Sequence, residues 1–469
     1  MNHFFLLLGI SFFLIAPSVT HAQTNNVTSQ IENIGNPAKS RWTDNTACVY
    51  ARNVWDMQVF TNRIYIGSGN AANAGPCTNA GPDDLWFFNL VSNQFSKDVS
   101  LNSNCGPNCI DEEQIDVLKV IGGKIYTPSR DPQEGWDLGN LYSTDGTIGW
   151  RKYRTIPNAI HVYDVAGFDE KLFVAIASND SSVNGSAIFM SSDQGLTWTK
   201  SSMYWTPRSF FDFKGKFYAA ISFAKNSGFN NDGIYTYTSP ATFTVIANTK
   251  QTDIFPGNSF RVDNSGVMFR PTNFLNNLIY IGAEYTSNGS QMEPNGLYKI
   301  TSISENGANA VKIALPNNSL PWDILVGQSG KVYVLGSVLN GSRYWVTVSS
   351  TSDLTNWVEE FRFDSPTFAR SFEMVNNDFY FGLGTDTVTL SINSGDILRL
   401  KALASPTSSP NTEKVGDLVI PFGSIDIYDY NQFLLEFGKK NDSVTLSDLD
   451  NDDDVDIYDF NLLLSYFGN

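Results

Sequence analysis

The sequence predicts an all-β seven-bladed propeller followed by a small α-helical module, and three observations carry that reading. Seven times the chain writes an apolar strand, a two-residue turn and a second strand bearing an aromatic. The outer halves of several of these units carry a Ser-Asp-Gly-Trp turn pattern. An acidic tail then repeats an apolar pattern at an offset of thirty residues.

Composition sets the outer limits. The chain has 469 residues, with 31 Lys and Arg against 48 Asp and Glu, for a formal charge of −17. A nucleic-acid partner is excluded on that balance, because phosphate binding needs a net basic face. At 42% hydrophobic and 17% charged the chain has the apolar content of a folded protein. Residues 411–469 hold 13 acids and 3 lysines, so the excess charge is concentrated in the tail.

Residues 1–22 read as a signal peptide and predict a secreted protein. An apolar run from Phe4 to Ala16 is short for a bilayer span, and Thr20-His21-Ala22 precedes Gln23 with small residues at the cleavage positions. The run lacks a leading Lys or Arg. No later segment is apolar enough to span a membrane. Cys48, Cys77, Cys105 and Cys109 suit an oxidising compartment. Three disulfide pairings are open; the short Gly106-Pro107-Asn108 spacer favours Cys105–Cys109, leaving Cys48 with Cys77. Zinc is disfavoured because only three histidines exist, one of them in the leader.

The hairpin turns are Thr61-Asn62, Gly122-Gly123, Asp169-Glu170, Lys214-Gly215, Asn276-Asn277, Ser329-Gly330 and Asn376-Asn377. Asn, Asp and Gly accept the positive φ of tight hairpins. The signature that follows runs Ile64-Tyr65, Ile125-Tyr126, Leu172-Phe173, Phe217-Tyr218, Ile279-Tyr280, Val332-Tyr333 and Phe379-Tyr380, at spacings of 45 to 62 residues. Units of that length match propeller blades, so residues 42–400 are assigned to the propeller and 23–41 to an N-terminal segment. Arg41-Trp42-Thr43 is expected to supply the missing outer strand of the last blade, beyond Ile397 to Leu400.

Ser191-Ser192-Asp193-Gln194-Gly195-Leu196-Thr197-Trp198 fits S-x-D-x-G-x-T-W; Ser143, Asp145 and Trp150, and Ser352-Asp353 with Trp357, are poorer copies. This resembles the Asp-box (BNR-repeat) propellers, a group that includes sialidases. Physically the motif is a turn: the Asp accepts backbone N–H groups, Gly supplies the φ and Trp packs between sheets.

Counting ten residues back from each second-strand aromatic gives Trp55, Asp116, Tyr163, Arg208, Arg270, Asp323 and Arg370. These seven positions are expected to ring the propeller mouth. Three arginines suit a carboxylate, sulfate or phosphate, whose oxygens the guanidinium fork matches. The sialidase resemblance implies a Tyr nucleophile with a carboxylate partner, with Tyr163, Asp116 or Glu113, and Asp323 in those parts. Sialidase rings have six blades, and the Arg-Ile-Pro expected near the first blade is missing, so no catalytic residue is carried over. The competing reading ties blades together through Asp116 and Asp323. A second polar concentration comprises Asp111-Glu112-Glu113, Ser129-Arg130-Asp131, Trp136-Asp137, His161 and Asp164.

Residues 401–415 read as a linker, with Ser405-Pro406 and Ser409-Pro410 in a polar stretch. Within 416–469, Ile425-Asp426-Ile427-Tyr428-Asp429-Tyr430-Asn431 recurs as Val455-Asp456-Ile457-Tyr458-Asp459-Phe460-Asn461. Asp448, Asp450, Asp452, Asp454, Asp456 and Asp459 stand at positions 1, 3, 5, 7, 9 and 12 of an EF-hand-type calcium loop. Asp459 replaces the usual Glu, and Asp453 stands where Gly is expected. The pair resembles a type I dockerin, which implies calcium and a cohesin-type partner on a cell-surface or enzyme scaffold. The first copy has Leu418, Ile420 and Phe422 at positions 1, 3 and 5, so one calcium site is expected. Three functions follow: a secreted propeller recognising an extracellular glycan or other anionic ligand, active in polysaccharide breakdown; a sialidase-like glycoside hydrolase; or a non-catalytic protein-binding scaffold.

Overall fold

The computed structural model forms two units, Met1–Ala402 and Leu403–Asn469. It describes residues 25–402 apart from 45–46, 73–76, 181–184, 203–205, 225–230, 239–241, 259, 261–264, 286–291 and 328. In the second unit it describes Leu418, 427–440, 447–449 and 454–466. The leader and nearly all of the linker lie outside the described residues. Among the described residues no helix is long and apolar enough to cross a membrane.

The first unit is a seven-bladed propeller of antiparallel sheets. The innermost strands are Asp56–Phe60, Lys119–Ile121, Ala159–Phe168, Pro207–Phe213, Ser265–Phe274, Leu320–Val326 and Ala369–Val375. Five of the seven expected turns close two-residue hairpins as read from sequence, for example Phe168 opposite Lys171 and Phe213 opposite Lys216. Asp169, Glu170, Lys214, Asn376 and Asn377 all take positive φ there. Two turns differ. In the fifth blade the turn is Leu275-Asn276, because Phe274 pairs with Asn277, and Leu275 is driven to φ +48°. In the sixth, Val326 pairs with Val332 and the connection spans five residues, closed by Gly327 N–H to Lys331 O at 2.9 Å.

The ring is closed by the N-terminal segment, but not by Arg41-Trp42-Thr43. Ile31–Gly35 pairs antiparallel with Ile397–Leu400, Ile31 opposite Leu400. Ile31 packs in the core of the last blades and Ile34 against the first. Pro37 and the Asn36 cap then start a 3-10 turn at Pro37–Ser40, which ends the extended run before Arg41. Arg41 instead stacks on Trp42, 5.1 Å from the ring centroid, and pairs with Asp84 at 3.5 Å. The propeller therefore begins before residue 42. Deleting residues 23–35 is expected to lower Tm by several degrees and promote aggregation through the bared edge of Ile397–Leu400. Thermal unfolding with light scattering checks this.

The Ser-Asp-Gly-Trp turn at Ser191 has the expected physics. Asp193 accepts from Leu196 and Thr197 N–H at 3.1 and 2.8 Å, Gly195 takes φ +93°, and Trp198 Nε1 donates to Thr155 of the preceding blade at 3.0 Å. The Thr197 hydroxyl, then the backbone N–H groups and Ser191, hold the Asp193 carboxyl down at about 2. In the copy at Asp353 the hydroxyl partner is Thr351 rather than Ser352. The disulfides are Cys48–Cys77 and Cys105–Cys109.

In the second unit, helices Ile427–Glu436 and Ile457–Tyr466 lie thirty residues apart, as the sequence echo requires. Phe433 and Leu463, which correspond in the repeat, are both fully buried, with Leu418, Val455, Tyr430 and Phe460 around them. Gly438 takes φ +87° just beyond the first helix.

Candidate functional site

A cavity of about 340 Å³ lies at the centre of the propeller, and all seven expected ring positions line it. β-Bulges account for Tyr163, Arg208, Arg270 and Arg370. Tyr163, Arg208 and Arg370 are each an extra residue in the inner strand, inserted between Val162 and Asp164, Pro207 and Ser209, and Ala369 and Ser371. A bulge re-aims its side chain out of the sheet pattern. In the sixth blade the extra residue is Trp322, one position before Asp323. Trp322 is therefore the counterpart of Arg370, and Asp323 that of Ser371.

This one-residue correction exposes a second ring that sequence counting missed. Residues just after the bulge, or at the matching position, tie four pairs of neighbouring inner strands. Asp56 accepts Leu118 N–H at 2.6 Å, Asp164 accepts Phe210 N–H at 2.7 Å, and Asp323 accepts Phe372 N–H at 3.1 Å. Ser371 then accepts Met57 N–H at 3.0 Å, linking the last blade to the first. The dipeptides Trp55-Asp56, Tyr163-Asp164 and Trp322-Asp323 were the available signal.

The three arginines have separate surroundings. Arg270 sits in the fifth-blade bulge at φ +50° and reaches Asp56 of the first blade at 2.7 Å, a blade not adjacent to its own. Its Nε lies 3.1 Å from Asp323, and it donates to Trp55 O at 3.3 Å. Burial opposes its charge, but Asp323 and Asp56 outweigh that and raise its pKa. Arg270 is thus a cross-channel tie, and the expected use of Asp323 as a blade connector holds. Asp116 does not bind these arginines; its carboxylate lies 3.5 Å from Arg130.

Arg208 donates from Nε to Ser222 at 2.9 Å and stacks over Tyr163 at 3.7 Å, with Arg130 over the same ring at 5.0 Å. Arg370 is 5% exposed and lies over Trp55 at 4.4 Å and Trp322 at 5.1 Å. It donates to Asn53 Oδ1 at 2.9 Å and Thr385 O at 3.2 Å. Among the described residues no carboxylate stands within ion-pair distance of it, and burial lowers its pKa. Gly384 leaves room for this packing: a Cβ there would lie 2.6 Å from Arg370 Cδ and 2.5 Å from Asn53 Oδ1.

The acids around the cavity are held toward their neutral forms. Burial raises Asp56, Asp116 and Asp323, and burial with Asp323 and Asp56 pushes Glu373 up to about 8. Beside the mouth, burial and Asp131 push Glu113 up to about 8, while burial, Arg130 and Arg208 hold His161 down at about 3. A raised carboxyl pKa means the folded state binds the extra proton. The stabilisation is complete below the ordinary carboxylate range and is lost as pH climbs through about 8. Tm is expected to fall between about pH 5 and about pH 8, and Glu373→Gln to flatten that fall; scanning calorimetry across this range reads both.

In the second unit, ligand atoms of Asp454, Asp456 and Asp459 lie within 4.8 Å of one another. Asp459 also accepts Leu449 and Asp456 N–H at 2.6 and 2.8 Å, and Lys440 pairs with Asp454 at 2.9 Å. Three converging carboxylates fit a hard cation, which needs clustered oxygens. Asp450 and Asp452 lie outside the described residues, as do Ile420 and Phe422; Asp448 is half-buried nearby in sequence.

No family model matches the chain, and no curated protein matches it in sequence. Among solved structures, the polysaccharide lyase Uly1 aligns at 10% identity and a TM-score of 0.41, over 75% of this chain and 90% of that one. The β-propeller domain of the Trilobed protease from Pyrococcus furiosus aligns at 12% identity and a TM-score of 0.38, over 71% of this chain and 91% of that one. An endo-arabinase from Bacteroides thetaiotaomicron aligns at 11% identity and a TM-score of 0.29, over 54% of this chain and 92% of that one.

Proposed function

We propose that the protein is secreted and that its propeller recognises an acidic extracellular glycan, while the second unit is a calcium-dependent, dockerin-like anchor for a cohesin-type partner. The observation that carries the first part is Arg370. It is a buried guanidinium on the cavity wall, backed by aromatic faces, using two protein acceptors and no carboxylate among the described residues. A buried cation without a counter-charge is costly, and a ligand carboxylate or sulfate would relieve that cost. Arg208, held over Tyr163, lines the same cavity and adds a second cation for the ligand.

Recognition is favoured over sialidase-like hydrolysis by the fate of Arg270. Three arginines on one anion would need it, and it is committed to Asp56 and Asp323. The scaffold reading requires neutralised arginines and a filled channel, against which stand Arg370 and the cavity. Screening calcium-loaded protein on an array of acidic and neutral glycans tests the proposal. Retention on acidic glycans alone supports it, and retention on none favours the scaffold.

The anchor reading rests on the duplicated helices and the Asp454, Asp456, Asp459 cluster. Calcium is expected to stabilise the second unit by about 2.7 kcal/mol at about 100 times its Kd. The Asp454→Asn/Asp456→Asn variant should lose that gain. Calorimetry with calcium and with chelator reads it, and an equal calcium response in the variant would contradict the site.

A further inference from the structure

Trp136 stands out from the rest of the propeller. It is 49% exposed, and among the described residues it makes no hydrogen bond or ring contact. Its loop, residues 129–137, joins the second and third strands of the second blade and begins at Arg130 on the cavity wall. The loop is not loose. Gln133 N–H donates to Asp111 O at 2.8 Å, and Glu113 N–H to Asp131 O at 3.1 Å. Around Trp136 itself, Arg154 donates to Gly135 O at 2.8 Å, to Leu138 O at 2.7 Å, and to the carboxylates of Glu134 and Asp137. Lys152 also donates to Glu134, at 2.6 Å. The backbone before and after the indole is thus clamped, while the indole stays half exposed.

An indole left half exposed forgoes part of the stabilisation that burial would give it. A preorganised, solvent-facing aromatic is what stacking on the C–H face of a sugar needs, because the ordering cost is already met. Glu134 and Asp137 are paired with Lys152 and Arg154, so no free cation is offered to an acidic sugar there, and a neutral one, donating its hydroxyls to the carboxylates, is accepted. The mouth has the opposite preference through Arg370 and Arg208.

We infer that Trp136 forms an outer subsite for a neutral sugar, so that the ligand is a chain carrying acidic and neutral units, the acidic one in the mouth and the neutral one along the second blade. This inference rests on the mouth reading above and specifies its ligand class.

Affinity electrophoresis of the full chain in gels containing hyaluronan or unsulfated chondroitin, whose acidic and neutral units alternate, tests it beside calorimetric titration with glucuronic acid. The wild-type protein is expected to be retarded by at least one polymer. Trp136→Ala should weaken polymer binding about tenfold or more, with Trp136→Phe intermediate and glucuronic acid binding unchanged. Arg370→Met should lose both. Equal retardation of wild type and Trp136→Ala overturns the outer subsite and leaves the mouth intact. So does binding of glucuronic acid without retardation by either polymer. Failure to bind either the monosaccharide or the polymers overturns the mouth reading and this inference together.

Discussion

Replacing Arg270 by alanine is expected to destabilise the propeller by about 3–5 kcal/mol, the usual result of removing one partner from a buried ionic cluster. Its guanidinium links the fifth blade to Asp56 of the first and Asp323 of the sixth. Both carboxylates also accept backbone N–H groups of neighbouring inner strands. Without the cation, Asp56, Asp323 and Glu373 face one another with no counter-charge. They must then take up protons or separate, and either response loosens blade contacts. The variant should therefore melt earlier and lose more stability than wild type as pH rises. An unchanged Tm would show that the cross-channel tie has no structural role.

Arg370→Met is expected to act in the opposite way. It removes a buried charge without an ion-pair partner and keeps the volume packed against Trp55 and Trp322. Stability should stay level or rise, because desolvation of the guanidinium is no longer paid. Binding of an acidic glycan should fall by about 2–5 kcal/mol, the cost of truncating one side of a buried charge contact. Arg370→Lys should recover little, since an ammonium cannot reproduce the planar fork. A combined reading of Tm and affinity separates the two arginines, which their common register alone does not.

That separation marks where the sequence was legible. Hairpin turns such as Asp169-Glu170 and Asn376-Asn377 are local chemistry: residue type sets the φ, and the φ sets the register. The ring of seven positions was legible for the same reason. What failed was a one-residue matter. In the sixth blade Tyr333 pairs with Leu325, eight residues back, where Phe173 pairs with Ala166, seven back; the longer connection made counting place Asp323 where Trp322 stands and hid the tying role of Asp56, Asp164 and Ser371. Ring closure was legible in kind, since the last blade lacks a strand, but Trp42 was the wrong marker. The strand is the less conspicuous Ile31–Gly35, chosen by how Ile31 and Ile34 pack. Long-range choices of this type leave little local trace. Neither the reach of Arg270 across the channel nor the clamp of Arg154 around Trp136 can be read from spacing.

Whether arginines other than Arg270 hold an acidic ligand in the mouth can be decided by one titration. An acidic glycan retained on the array would be titrated into wild type and into Arg208→Gln/Arg370→Met, with Arg270 intact and Tm matched. Binding should fall by about 100-fold or more, with a shallower salt dependence in whatever remains. Equal affinity in the two proteins would contradict it and place the ligand elsewhere on the propeller.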